Sequence, residues 1–327
     1  MNTCLTGGPG VGFADAVARL IPRPDRELFM STKKTPPARD LKEVRRELDV
    51  IDDAIQDLLM KRTELVVEVA EAKARAASAS GQGSFIAFRP GREAEVLRRL
   101  ASRQSGRLPL KVIFRLFREI MSTMTRIQGP FRVDVFAGGE TLAYWDLARS
   151  YYGSSTTMEL HDNARDVLRR AGTDASVVGI LPAPGNYVGG DWWPVLAMGG
   201  PDSARVVARL PFLDIGTEAD AAKALVVTQA TFDDTGNDTS LIVVSTADNV
   251  SEASIAARVK AVGFEAERIS VAQTRDGGAT RHNLFAVKSH VAFDDPRLAA
   301  LTNEGPAERA VVIGGYANPV VIAKDGE

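Results

Sequence analysis

Residues 40–77 read DLKEVRRELDVIDDAIQDLLMKRTELVVEVAEAKARAA, and they decide the first part of the fold because they contain neither glycine nor proline. Apolar residues recur four and three positions apart, which places one ladder on a single helix face: Val44, Leu48, Ile51, Ile55, Leu58, Arg62, Leu65, Val69 and Ala72. The pattern predicts one helix of about 38 residues and roughly 57 Å, with Asp40 as its N-cap. A compact domain of about 90 residues does not reach that far. The helix is therefore expected to lie along another long element, most simply its own copy.

Arg62 is the charged member of this apolar ladder. An unpaired buried guanidinium costs several kcal/mol, so the position requires a carboxylate from the fold or from a ligand. Lys73 follows 11 residues later on a neighbouring part of the same face, about 16 Å along the axis, and the two cations can bracket one site. Arg45 lies 17 residues before Arg62, about 25 Å away. It can hold the same small ligand only if it comes from a second chain.

Two shorter helices are predicted after a loop rich in Ser, Gly and Ala. The first begins near Pro90 and carries Glu93 in its apolar stripe, and the second begins near Pro109 and ends at Gln128. The inward residues of the second are expected to be Ile113, Phe117, Ile120, Met124 and Ile127. Each of the three helices therefore presents a polar group inward.

These charged residues leave a second interpretation open. Arg62 and Glu93 could pair with each other as a structural bridge, and a charge on a long helix is more often a solvated face or a coiled-coil ion pair. Four further cations are interpreted as surface residues: Arg46, Lys61, Arg98 and Arg99.

Composition limits the classes of protein that fit. The chain has 327 residues, of which 45% are hydrophobic and 25% charged, enough for two or three domains. Its net charge of −2 gives no general attraction to nucleic acid, and no apolar stretch approaches the roughly 20 residues of a membrane span. A lone Cys4 excludes an intramolecular disulfide, and His161, His282 and His290 lack metal-ligand spacing. We expect a cytoplasmic protein without a structural metal.

Residues 1–38 are expected to be largely disordered. Residues 30–37 look like a natural polar beginning, so Met30 is a possible true start of translation. The glycine-rich run at 7–12 resembles a phosphate loop only superficially, because no strand precedes it and no Gly-Lys-Ser/Thr follows.

After Pro130 the pattern changes to alternating apolar runs and short helices, which predicts an α/β domain over residues 131–248. Residues 249–327 then indicate strand, helix, strand, strand, helix, strand and a tail, the pattern of a regulatory ferredoxin-like module. The expected fold class is multidomain: an all-α three-helix domain at residues 39–130, followed by α/β and α+β regions.

The helical region resembles the all-helical class of chorismate mutase. The resemblance rests on an ordered combination of motifs: Val44-Arg45-Arg46-Glu47-Leu48, Ile51-Asp52, Leu58 to Arg62, Glu68 to Lys73, Arg92-Glu93 and Gln128. It implies an intertwined homodimer through the long helix. It also implies an isomerase that rearranges chorismate to prephenate, without a cofactor, in aromatic amino-acid (phenylalanine and tyrosine) biosynthesis.

The same resemblance implies roles for individual residues. Arg62, and Arg45 of a partner chain, would hold the two substrate carboxylates. Lys73 and Gln128 would contact the ether oxygen of the breaking bond. Glu93 would bind the ring hydroxyl, and Arg92 would support the site.

Two positions depart from the family pattern. Where the family often has an acidic residue just before the Arg-Glu pair, this chain has Arg89-Pro90-Gly91, and Met124 stands at a commonly hydroxylated position. Both changes remove secondary ligand contacts. A weaker or differently shaped site is expected, with the principal residues intact.

The order of the three regions is similar to that of bifunctional chorismate mutase–prephenate dehydratases. Residues 136–141 resemble the dehydratase opening Gly-Pro-x-Gly-Thr-Phe, and residues 238–241 fall where that family has Thr-Arg-Phe, but the arginine and the aromatic residue are missing. A degenerate dehydratase-like region is therefore expected. The leading hypothesis is a chorismate mutase acting on a small molecule; the alternatives are a bifunctional mutase and dehydratase, or a catalytically silent dimeric ligand sensor.

Overall fold

The structure is a computed structural model, and it describes residues 39–81, 85–136, 138, 141–185, 191–199, 203–214, 222–274, 280–303 and 305–322. The expectations of disorder in residues 1–38 and of a start at Met30 lie outside the described residues. The chain divides into two compact units, Met1–Leu58 and Leu59–Glu327.

Three helices follow one another in the N-terminal part: α1 (Leu41–Ala79), α2 (Pro90–Arg103) and α3 (Leu110–Gln128). They confirm the predicted all-helical segment. Pro90 begins α2, where its missing N–H costs no helical hydrogen bond. Gly129 follows the last residue of α3 with an extended φ of 174°.

The apolar ladder of α1 is exposed in the single chain. Of the residues of α1, Ala77 is buried. The large ladder residues each keep about half of their area exposed: Leu48, Ile51, Ile55, Leu58, Leu65 and Val69. A single copy therefore does not bury this face. Among the described helices, none combines the length and apolar character needed to cross a bilayer.

The buried face of α3 differs from the predicted stripe. Its buried residues are Phe114, Arg118, Met121, Ser122, Met124 and Thr125. Met124 is buried as predicted, but the prediction that Ile127 points inward is wrong, because Ile127 is 44% exposed. The reason is tertiary: α3 packs through Phe114 and Met121 onto the sheet described next, which turns the helix by about one residue.

The rest of the described chain is mixed α/β, as predicted. Its strands are β1 (Arg132–Phe136), β2 (Met158–His161), β3 (Val177–Pro182), β4 (Arg205–Leu210), β5 (Leu213–Asp214), β6 (Ala224–Thr228), β7 (Asp238–Ala247), β8 (Ala266–Thr274), β9 (Thr280–Val287), β10 (Ala307–Ala317) and β11 (Val320–Val321). Its helices are α4 (Thr141–Tyr152), α5 (Ala164–Thr173), α6 (Pro194–Ala197), α7 (Glu252–Ala261) and α8 (Pro296–Asn303).

Nine of these strands form one sheet in the order β2-β1-β3-β6-β4-β10-β7-β9-β8, and β5 pairs separately with β11. Strand β10 joins the two halves, because it pairs in parallel with β4 and antiparallel with β7. The β10-β7-β9-β8 part has the strand order of a ferredoxin-like module, with β7 as its first strand. The predicted division after residue 248 stays a prediction. Strand β7 lies before that position and pairs with β9 and β10 beyond it.

Helices cover both faces of the sheet. Alternate residues of a strand point to opposite faces, and β6 shows this directly. Val226 belongs to the same buried cluster as Leu97 of α2 and Phe114 of α3, whereas Leu225 belongs to the same buried cluster as Val167 of α5. Helices α2 and α3 are therefore fixed to the sheet through a shared apolar core.

Gly314 provides a test of the junction between β10 and β4. It has a φ of +113°, and a Cβ there would overlap the backbone of Val206. Gly314→Ala should lower the free energy of unfolding by about 3 kcal/mol, since alanine adds both strain and a backbone clash. Urea denaturation measures this. The control Gly129→Ala, in open space and at an extended φ, should change stability by less than about 0.5 kcal/mol. Equal losses would contradict the described junction.

Candidate functional site

A cavity of about 630 Å³ is lined by the C-terminal half of α1 together with α2 and α3. We call it the helical cavity. Five of the six predicted site residues line it: Arg62, Lys73, Arg92, Glu93 and Gln128. Its other polar or small lining residues are Ala87, Arg89, Gly91, Glu95, Arg99, Thr125 and Asp233. The structure therefore brings most of the residues predicted from the sequence together at one cavity.

Arg45 is the sixth predicted residue. It belongs to the unit of residues 1–58, and its side chain is exposed. The lining of the helical cavity comes from residues of the second unit. The role predicted for Arg45 stays a prediction.

Arg62 offers an unused hydrogen-bond donor. Its Nη1 atom is buried and has no hydrogen-bond partner among the described residues. Burial lowers the pKa of the Arg62 guanidinium below its usual range. The alternative in which Arg62 pairs with Glu93 is wrong, because Glu93 pairs with Arg118 instead. Arg62 therefore carries a partly desolvated charge that an anionic ligand could satisfy.

Lys73 and Gln128 touch each other. The Nζ atom of Lys73 donates a hydrogen bond to Oε1 of Gln128 over 3.1 Å, and Nε2 of Gln128 donates to the backbone oxygen of Met124 over 3.2 Å. Burial, and secondly the charge of Arg89, lower the pKa of the Lys73 ammonium. An ammonium has three donors, so Lys73 retains capacity for a ligand beside the Gln128 amide.

Glu93 and Arg118 form a buried ion pair between α2 and α3. The Nη1 atom of Arg118 lies 2.6 Å from Oε2 of Glu93, and both side chains are at least nine-tenths buried. Nε of Arg118 donates to the backbone oxygen of Tyr151 over 2.6 Å, and the guanidinium lies 3.4 Å from the centre of the Tyr151 ring. The pair fixes the carboxylate of Glu93 at the wall of the helical cavity.

Sequence reasoning missed Arg118, although a signal was present. Arg118 lies four residues after Phe114 and three before Met121, so it is a charge in step with buried apolar residues, as Arg62 is in α1. The assumed stripe through Ile113 and Phe117 hid this spacing.

Cations outnumber carboxylates in the lining of the helical cavity. The cations are Arg62, Lys73, Arg89, Arg92 and Arg99, and the carboxylates are Glu93, Glu95 and Asp233. Arg92 pairs with Glu95 over 2.7 Å, and Arg89 pairs with Asp233 over 2.9 Å. Among the residues that the structure describes, Arg62, Lys73 and Arg99 have no carboxylate partner. The cavity thus suits a ligand with more than one negative charge.

Arg98 and Arg99 were both interpreted as surface residues, and for Arg98 this is wrong. Nη1 of Arg98 donates to the Thr235 hydroxyl over 2.7 Å, and Nη2 donates to the backbone oxygens of Asn237 and Asn318 over 2.6 and 3.0 Å. Arg99 is exposed but lines the helical cavity. Linear spacing could not show these contacts, because the partners of Arg98 lie more than 130 residues away.

One cluster elsewhere was not foreseen. One ligand atom from each of Asp134, Glu159 and His161 lies within 4.8 Å of the others, although the histidines show no metal-ligand spacing in the sequence. Arg170 donates hydrogen bonds to both carboxylates. This guanidinium already supplies the positive charge that the two carboxylates need.

Comparison with known proteins supports the resemblance of the helical region. Residues 44–129 match the family model described as chorismate mutase type II. The bifunctional chorismate mutase/prephenate dehydratase of Stutzerimonas stutzeri is 30% identical over 152 residues, which cover 46% of this chain and 41% of that protein. The protein of the same name from Neisseria gonorrhoeae is 34% identical over 89 residues, 27% of this chain and 22% of that one.

The first of these alignments is longer than residues 1–130, so it continues into the mixed α/β region. The chain spans at most about two fifths of the length of these curated relatives. Among solved structures, a prephenate dehydratase from Staphylococcus aureus covers 57% of this chain and 100% of its own, with 12% identity and a TM-score of 0.41. A likeness at that level carries no conclusion about activity.

The buried ion pair yields a stability prediction. Arg118→Ala should lower the free energy of unfolding by about 3 kcal/mol or more, because it leaves the buried Glu93 carboxylate without its partner. The double variant Glu93→Gln/Arg118→Met should lose clearly less, since it buries no unpaired charge. Urea denaturation followed by circular dichroism measures both.

Arg115→Ala is the matched control for that experiment, because Arg115 is an exposed arginine of the same helix. Its stability should change by less than about 0.5 kcal/mol. A double variant as unstable as Arg118→Ala would show that charge pairing is not what holds α2 to α3.

Proposed function

We propose that this chain is a chorismate mutase, which rearranges chorismate to prephenate without a cofactor in aromatic amino-acid biosynthesis. The observation that carries the proposal is the convergence of Arg62, Lys73 and Gln128 on one cavity with surplus positive charge. The family match over residues 44–129 supports it. A cytoplasmic location belongs to the same proposal.

Substrate binding follows from charge. Chorismate carries two carboxylates, and a planar guanidinium can hold a carboxylate with two parallel hydrogen bonds. Nη1 of Arg62 is buried without a partner among the described residues, so a carboxylate there would satisfy it. A bound carboxylate would thus give this Arg62 donor the hydrogen-bond acceptor that it lost when folding removed it from water.

Rate enhancement follows from preorganised donors. The rearrangement needs no nucleophile and no proton transfer, so the protein has only to hold the reactive conformer and stabilise charge on the ether oxygen as the bond stretches. Lys73 donates to Oε1 of Gln128, and the Nε2 amide of Gln128 keeps a second hydrogen beside the one donated to Met124, so both side chains have a donor for a nearby oxygen. A rate enhancement of about 10⁶ corresponds to about 8 kcal/mol. Two such donors at roughly 3 kcal/mol each supply most of it.

Glu93 and Arg92 are the remaining predicted site residues that line the helical cavity. The pair with Arg118 uses Oε2 of Glu93, which leaves Oε1 to accept a hydrogen bond from the ring hydroxyl. Arg92 is exposed and paired with Glu95, so it supports the rim of the cavity and does not occupy its floor.

A homodimer through α1 is part of the proposal. The large ladder residues of this 39-residue helix are about half exposed in the single chain. A helix that pairs with its own copy shows this exposure when one chain is taken alone. In such a dimer, Arg45 of the partner chain would hold the second substrate carboxylate. That arrangement accounts for the exposure of Arg45 in one chain.

The curated relatives are named bifunctional, which favours a second candidate in which the chain also dehydrates prephenate. One assay separates the candidates: the loss of chorismate absorbance, followed by detection of phenylpyruvate without acid treatment. Chorismate loss alone supports the mutase, and both signals support the bifunctional enzyme. The absence of both signals would contradict the proposal and favour a silent ligand sensor.

Lys73→Ala should lower kcat/KM for chorismate by at least about 10²-fold, because it removes a donor aimed at the ether oxygen. Steady-state kinetics on folded protein measures this. Lys111→Ala, at an exposed position of α3, is the control and should stay within about twofold of wild type. A Lys73→Ala enzyme within a few-fold of wild type would refute the assigned role.

Mixing two inactive variants tests the contribution of Arg45 from a partner chain. Arg45→Ala and Lys73→Ala homodimers should each be nearly inactive. Random exchange of subunits makes about half of the dimers mixed, and each mixed dimer has one intact site of two, so about a quarter of wild-type activity should return. If Arg45 acts within its own chain, the mixture stays as inactive as its components.

A further inference from the structure

One wall of the helical cavity comes from the C-terminal region of the chain. Asp233, in the segment between β6 and β7, lines the cavity. Nε and Nη2 of Arg89 donate to Oδ2 of Asp233 over 3.3 and 2.9 Å, and the Thr231 hydroxyl donates to Oδ1 over 2.8 Å. Both carboxylate oxygens of Asp233 are therefore engaged, one of them by the start of α2.

The approach of this segment to α2 is close at a glycine. A Cβ built on Gly91 would lie 3.1 Å from Cβ of Asp233 and 3.3 Å from Cγ2 of Thr235. Contacts this short are tighter than ordinary van der Waals packing, so a Cβ at position 91 would require the segment to shift by a few tenths of an ångström. Arg89 and Gly91 thus form a receiving surface for residues 231–238.

Arg98 anchors the same segment about two helical turns beyond Gly91 along α2. It bonds to Thr235 and Asn237, and it also reaches Asn318, just beyond β10. The segment is braced internally, because the Thr235 backbone N–H and hydroxyl both donate to Asp238 over 2.7 and 2.6 Å. These contacts fix its position against the helical cavity.

We propose that residues 231–238 are a permanent wall of the mutase site, in which Asp233 positions the Arg89 side chain at the mouth of the helical cavity. This inference rests on the proposed function. The chain has Arg89-Pro90-Gly91 where the resemblance leads one to expect an acidic residue before Arg92-Glu93. The missing carboxylate is supplied from more than 140 residues away, and Asp233 is a positioning residue that acts through Arg89.

The wall has a consequence for catalysis. Arg89 is close enough to Lys73 for its charge to act on that ammonium, so the place where Arg89 is held affects the field at the proposed ether-oxygen donor. A displaced segment would widen the mouth and free Arg89. Substrate affinity should suffer first, because the Lys73 and Gln128 contact does not involve the segment.

A charge swap tests the proposal. Arg89→Asp and Asp233→Arg each place two like charges in contact, so each should displace the segment and raise KM for chorismate at least about fivefold, with kcat within about threefold. The double variant Arg89→Asp/Asp233→Arg restores an ion pair with the same net charge, and KM should return to within about twofold of wild type.

The two single variants change the charge of the cavity in opposite directions. A purely electrostatic effect on a dianionic substrate would therefore raise KM in one variant and lower it in the other. Opposite shifts, an unrescued double variant, or unchanged KM in both single variants would each overturn the proposal. The control Asp294→Arg makes the same charge change at an exposed position outside the cavity lining, and it should leave KM within about twofold.

Amide hydrogen exchange separates this proposal from the proposed function. Exchange in a peptide covering residues 229–238 should become at least about tenfold faster in each single variant and return to the wild-type rate in the double variant. If the wild-type protein lacks mutase activity and the variants show this exchange pattern, the proposed enzyme function is refuted, but the docking of residues 231–238 against α2 is supported. If the wild-type protein is active and exchange is unchanged in all variants, only the proposed wall is refuted.

Discussion

The buried pair of Glu93 and Arg118 is the interaction on which the arrangement of the helical cavity depends. Two charges removed from water must face each other, so the pair sets the separation and rotation of α2 against α3. Apolar packing of Leu97 and Phe114 then fixes both helices to the sheet. The floor of the cavity and the receiving surface for residues 231–238 follow from this placement.

Charge in the helical cavity is arranged as satisfied pairs around unsatisfied groups. Pairs at the rim neutralise Arg89 and Arg92, whereas Arg62 and Lys73 have no carboxylate partner among the described residues. Such a distribution favours a doubly negative guest over a neutral one without making the whole surface basic. It agrees with a net charge of only −2 for the chain.

Much of the helical part could be predicted because its signals are local. Helix α2 starts at Pro90 and helix α3 starts directly after Pro109. A charge in an apolar ladder marks Arg62. The pairs Arg118 with Glu93 and Asp233 with Arg89 could not be predicted in the same way, because each partner is set by tertiary packing and not by spacing along one element. The same holds for β10, whose pairing with β4 joins two regions that the sequence pattern separates.

Strand β10 lies between β4 and β7, although both of these strands are made before it. While a ribosome is still extending the chain, β4 and β7 each keep an open hydrogen-bonding edge until residues 307–317 emerge. Asn318, which accepts a hydrogen bond from Arg98, follows immediately. Nascent protein must therefore wait for residues 307–317 before this sheet can close, which makes early release or ribosome stalling a hazard for this architecture.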